Sequence, residues 1–157
     1  MDNTLALLAD EVRRKTLWLL DDVSEELARF AAPGLTNSVL WHAGHALVVV
    51  EHLCIAPATG QAAQLPLGWF EMFSWDSQPK TVRDWPRLAE VVQALHEQLP
   101  RLTAAIGNVG PQQLDQILGP PHDATLRYLI VHGLHDEANH QGEIWLLLKM
   151  YGKSQGA

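Results

Sequence analysis

The chain has 157 residues, 47% of them hydrophobic and 18% charged, a balance that excludes a disordered polypeptide and suffices for one core without disulfides. A single domain over residues 1–157 is expected. Eighteen acidic against eleven basic residues leave a net charge of −7, and the one basic cluster, Arg13, Arg14 and Lys15, is too small for a phosphate-backbone surface. No nucleic-acid partner is expected, and that trio reads as a solvated helix face.

The N-terminus, Met1-Asp2-Asn3, has acidic residues at positions 2, 10 and 11 and lacks the basic start and apolar core of a signal peptide. With no run of about 18 uninterrupted apolar residues anywhere, a cytoplasmic protein without a membrane partner is expected. From Thr4 to about Phe30, Leu5, Leu8, Val12, Leu17, Leu20, Val23 and Leu27 recur near the helical period, and Pro33-Gly34 ends this first helix. Thr36, Asn37 and Ser38 then offer N-caps for a second helix reaching about Cys54.

Glu51 is the only charged residue of the second helix if its histidines are neutral, so the helix must be covered on most sides. Cys54, the single cysteine, excludes an intrachain disulfide and reads as a buried small hydrophobe. Between Ile55 and Lys80, Pro57, Gly60, Pro66, Gly68 and Pro79 break the pattern, while Trp69, Phe70, Phe73 and Trp75 suit a lid, a plug or a pocket wall.

Asp84-Trp85-Pro86 is a good helix start. Leu88, Val91, Val92, Leu95, Leu99, Leu102 and Ile106 follow as a third helix, with a kink expected at Pro100. A short helical turn fits around Gln112 to Ile117. Asp123 then caps a fourth helix from Ala124 to about Tyr151, stopped by Gly152. No strand-like alternation of useful length appears, so the expected fold is an all-α four-helix bundle with a long crossover loop between the second and third helices.

On the fourth helix, Asp136 and His140 lie about 40° apart with side-chain bases about 6 Å apart, close enough for one metal ion. His132 and Glu143 extend a polar stripe in an apolar face continued by Leu129, Leu147, Met150 and Tyr151. Polar groups in such a seam are costly unless they pair with each other, with water or with metal. His135, about 140° round from His140, faces a groove or solvent. Val131, Leu134, Ala138, Trp145 and Leu148 make the opposite side mostly apolar, a candidate homodimer interface.

On the second helix, Trp41, Val48, Val49 and His52 flank His45, and Gly44 beside it allows close approach of another helix. His42 lies some 60° away, which makes His45 the better inward candidate. Two imidazoles and a carboxylate suit zinc, nickel, manganese or iron, with a position left open for catalysis. The alternative at this point is a hydrogen-bonded polar core with no metal.

Asn37 to Leu53, NSVLWHAGHALVVVEHL, and Thr125 to Tyr151, TLRYLIVHGLHDEANHQGEIWLLLKMY, resemble the DinB-like superfamily of bacterial four-helix bundles, which includes the YfiT-type thiol transferases. The resemblance implies divalent-metal ligands at His45, Asp136 and His140, with His140-Gln141-Gly142 matching the family's His-x-Gly signature. The family more often has histidine where this chain has Asp136. It further implies a metal-dependent enzyme, a thiol S-transferase or small-molecule hydrolase, taking a thiol or other small substrate, with Glu143 as base or as a partner of a ligand. The competing expectation is a non-catalytic dimeric bundle with a degenerate metal site.

Overall fold

Four long helices carry the chain in the computed structural model, which describes residues 3–155. Met1 and Asp2 of the N-terminal reading lie outside the described residues. Helix α1 (Thr4–Leu20) stops ten residues sooner than its periodicity predicts. Ser24 starts a separate single turn, α2 (Glu25–Ala28), its hydroxyl accepting the Leu27 N–H at 3.2 Å. Of the three candidate caps for the next helix, Ser38 is the one used: its hydroxyl accepts the Trp41 N–H at 3.3 Å and opens α3 (Val39–Val50).

Helix α3 runs past Cys54. It continues through a π-helical turn (Glu51–Ile55) into α4 (Ala56–Thr59), and Gly60 ends it in the left-handed conformation that glycine adopts at little cost. The whole rod, Val39–Thr59, is long and apolar enough to cross a membrane by length and composition, yet 83% of its apolar window is buried inside the fold. The covering that an almost uncharged helix demands comes from the other helices.

Within the long connection, α5 (Trp69–Phe73) packs on α3 as a plug. Phe73 is fully buried against Gly44, where a Cβ would come within 2.3–2.5 Å of three phenyl carbons. An aromatic ring, not a second helix, uses that glycine. Helix α6 (Leu88–Gly107) starts later than Asp84-Trp85-Pro86 predicts, because the Arg87 N–H donates to the Glu90 carboxylate at 2.8 Å and the Leu88 N–H to Glu25 at 2.7 Å.

After the turn α7 (Pro111–Leu114), a two-residue ladder pairs β1 (Ile117–Leu118) with antiparallel β2 (Ala124–Thr125), too short to leave an alternation in the sequence. Asp123 is not the cap of the last helix. It sits at φ 46°, and the Thr125 hydroxyl accepts the Tyr128 N–H at 3.2 Å to open α8 (Leu126–Gln155), which runs on through Gly152.

Helix α1 packs against α6 and α8, and α3 packs against the same two, so α1 and α3 face each other across a diagonal of the four-helix bundle. The apolar interior falls into two clusters. One gathers Leu20, Leu40, Leu47, Phe73, Leu95 and Leu147; the other gathers Val50, Cys54, Leu102, Leu126, Ile130 and Leu134. Cys54 is buried against Gly133, and its burial pushes the thiol far above its usual pKa, as befits a packing residue.

A polar chain of contacts threads the bundle interior. Arg13, expected on a solvated face, is fully buried: its guanidinium donates to Glu137 at 2.8 and 3.1 Å and to Gln98 at 2.8 Å. Gln98 donates onward to Glu51 at 2.8 Å, which also accepts from Arg101 at 2.6 Å. Thr16 donates to Glu137 at 2.6 Å. The solvated reading of the basic trio therefore fails for Arg13, whose neighbour Arg14 does stay outside, paired with Asp10. The only charge on the second helix, Glu51, belongs to the same network, which as a whole links all four long helices.

Candidate metal centre

Helices α3 and α8 face one another, and the ligand candidates meet where they do. His45 Nε2 and His140 Nε2 each lie 3.5 Å from Asp136 Oδ2. Alone among the buried side-chain nitrogens and oxygens of the described residues, that oxygen has no hydrogen-bond partner. An orphaned buried carboxylate oxygen costs about 1–3 kcal/mol or more, and a cation shared with the two imidazoles would satisfy it. Two ligands on one tetrahedral ion with bonds of about 2.0–2.1 Å stand roughly 3.4 Å apart. Carboxylate and imidazole are the donor set that zinc and its neighbours take, so the three residues fit a divalent ion both in spacing and in chemistry.

Each ring is held in place by further contacts. His45 Nδ1–H donates to the Phe73 carbonyl at 2.5 Å, which turns Nε2 toward Asp136. The Trp41 indole stacks on His45 with centroids 4.6 Å apart and is itself fixed by donation to the Ser77 hydroxyl at 2.9 Å. His140 Nδ1 lies 2.7 Å from Glu143 Oε2. The loop aromatics thus divide: Phe73 and its carbonyl brace the site, while Trp75 is exposed.

Not all of the stripe on α8 is in the cluster. His132 points outward and stacks on Tyr128, because the inward positions of that turn belong to Ile130, Gly133 and Leu134. His135 is exposed as expected. On the apolar second face, Leu134 is buried, whereas Val131 and Trp145 are exposed and Trp145 packs on Trp18. The residue that spacing alone passed over is His42, whose Nδ1 lies 2.8 Å from His140 Nδ1 and 2.9 Å from Glu143 Oε2. Its signal was present: His42 and His45 are three apart on α3, as His140 and Glu143 are on α8, so both helices present a pair one turn deep.

Electrostatics separate these groups. Burial works to raise the Asp136 pKa, but the facing imidazoles of His140 and His45 outweigh it and hold the carboxyl well below the usual range. Burial likewise works against the charge on His140, yet Asp136 and Glu143 outweigh it and raise its pKa. Burial, with His140 and His45 nearby, lowers the His42 pKa to about 3, so this ring is neutral at physiological pH.

These shifts fix a pH dependence for the metal-free protein. Below pH 6.5 the unfolded chain protonates His42 while the folded one resists until about 3, so stability falls across that window, by about 3–5 kcal/mol if the whole shift is expressed. Asp136 acts in the same direction, its contribution being lost as pH falls through its depressed folded pKa. His140 contributes fully below 6.5 and loses its contribution as pH rises through its raised folded pKa. Chelator-treated protein is therefore expected to be most stable near pH 6.5, as read by urea midpoints from pH 4 to 8. His42→Asn should flatten the acid limb, and an unchanged limb would refute the assignment.

A sequence model described as the DinB superfamily matches residues 8–144, a span that contains His42, His45, Asp136, His140 and Glu143. No curated protein matches the chain.

Proposed function

The chain belongs to the DinB superfamily, and from that footing we propose that it is a divalent-metal enzyme acting on small molecules, a thiol S-transferase or hydrolase, with His45, Asp136 and His140 as ligands. The observation that carries the reading is the partnerless Asp136 Oδ2 set 3.5 Å from two imidazole nitrogens. A zinc, nickel, manganese or iron ion held there would supply Lewis acidity, lowering the pKa of a thiol or water toward neutrality.

The chain's own residues supply the rest. The Phe73 carbonyl accepts from His45 Nδ1 and fixes which ring nitrogen faces inward. Glu143 does the same for His140 and strengthens it as a donor. Because its carboxylate is half exposed and engaged with two imidazoles, Glu143 acts as an orienting group and not as the base. Asp136 contributes the negative charge that two neutral rings lack, and its partial exposure leaves the site open to a small substrate.

Tag-free protein is expected to carry a stoichiometric metal by elemental analysis. His45→Ala, Asp136→Ala and His140→Ala should each weaken binding by more than about 100-fold, beyond the loss typical of a residue that only orients a ligand, with helical content unchanged. Chelation should abolish turnover of a thiol with a panel of small electrophiles. Metal absent even after incubation with zinc, nickel and manganese would favour the competing reading, a non-catalytic dimer whose exposed Trp18 and Trp145 meet a second copy.

A further inference from the structure

His140 has two ring nitrogens, and only Nε2 faces Asp136. Its Nδ1 is drawn into a second, tighter triangle with His42 Nδ1 at 2.8 Å and Glu143 Oε2 at 2.7 Å, closed by a 2.9 Å contact between His42 Nδ1 and the same oxygen. The proton count of this triangle does not close. Ionised Glu143 can only accept. If both Nδ1 atoms carry protons, two N–H groups oppose each other across 2.8 Å. If only one does, the other ring presents a lone pair to the carboxylate. If neither does, three lone pairs converge. No arrangement of protons makes all three contacts attractive, whereas a cation bound by all three atoms would draw on a lone pair of each.

We propose that His42, His140 and Glu143 form a second divalent-cation site, joined to the first through the His140 ring. Two imidazole nitrogens and one carboxylate oxygen select a borderline ion such as zinc, nickel or copper over magnesium or calcium. On a tetrahedral ion with bonds of about 2.0–2.1 Å two ligands stand roughly 3.4 Å apart, so the triangle must widen by about half an ångström or slightly more. The half-exposed Glu143 is the corner free to move and the side from which an ion enters, while His42 is held inside with its side chain only 6% exposed.

Charge and protons balance as follows. With the first site filled, His140 is neutral, its remaining proton on Nδ1 and donated to Glu143. Entry of the second ion releases that proton to solvent and leaves an imidazolate bridging the two cations, with His42 keeping its own proton on Nε2. The three donor atoms of the second site do not depend on the first being filled, so the proposal shares only His140 with the functional reading above.

The test is stoichiometry. Metal-stripped, tag-free protein titrated calorimetrically with zinc chloride near neutral pH is expected to bind two ions per chain. Asp136→Asn and Glu143→Gln should each bind one, the latter about 10–100-fold more weakly than the wild type fills its first site because His140 loses its orienting carboxylate, and the double variant none. Both positions are partly exposed, so folding is not at stake, and circular dichroism verifies it. One ion in the wild type, kept by Glu143→Gln and lost by Asp136→Asn, overturns the second site and leaves the first standing. Two ions retained by Glu143→Gln also overturn it, and no bound ion overturns both.

Discussion

Arg13→Met is expected to lower the unfolding free energy by about 3–5 kcal/mol, the usual cost of leaving one member of a buried ion pair without the other. With an m-value of about 2 kcal/mol/M this is a fall of roughly 2 M in the urea midpoint. The size follows from the surroundings: Arg13 and Glu137 are both fully buried, and the guanidinium also satisfies Gln98 and the Leu95 carbonyl. Removing the cation strands the Glu137 carboxylate, to which only the Thr16 hydroxyl still donates. The double variant Arg13→Met/Glu137→Leu should recover much of the loss, since apolar residues of similar volume often replace a buried pair at little cost. A single variant within 1 kcal/mol of wild type would mean that water reaches the pair.

Gly44→Ala is the second large effect, and it joins stability to the metal centre. A Cβ at this position would stand 2.3–2.5 Å from three Phe73 ring carbons, so the ring must leave its pocket, with a penalty of about 3–5 kcal/mol as for deletion of a buried phenylalanine. As α5 shifts, His45 Nδ1 loses the Phe73 carbonyl that orients it. Metal affinity should fall about 10–100-fold, the effect typical of losing a ligand's orienting partner. In a Phe73→Ala background the added methyl group has room, so Gly44→Ala should there be nearly silent, a strong coupling in a double-mutant cycle. Equal effects in both backgrounds would show that the plug does not press on Gly44.

How much of this was legible in the sequence depended on whether the signal was local. The bundle was, because apolar spacing and caps such as Ser38 act within a few residues, although the second helix, read as ending at about Cys54, runs on to Gly60. The facing of His45, Asp136 and His140 needed the family resemblance, since periodicity places residues on a helix but does not say which helix lies opposite. Arg13 escaped for the same reason. Beside Arg14 and Lys15 it looks like a solvated charge, and its partner Glu137 is 124 positions away. Glu137 in turn was hidden by its neighbour Asp136, which drew attention to a face one residue round from the buried one. Asp123 misled through chemistry: aspartate caps helices well but also tolerates a positive φ, and the turn used the second property.

The π-helical turn at Glu51–Ile55 gives α3 two independent angular settings. A uniform α-helix fixes the azimuth of its last residue once that of its first is chosen, and α3 has two appointments to keep. The stretch before the turn must aim His42 and His45 at α8, and the turn itself must set Cys54 against Gly133. One extra residue in a single turn advances the phase by about 100°, so the chain from the turn onward can follow the shape of its core without turning the imidazoles. The insertion works as a universal joint in the rod. Changes of core volume beyond Glu51 can then be absorbed there, and the aim of the histidines is preserved.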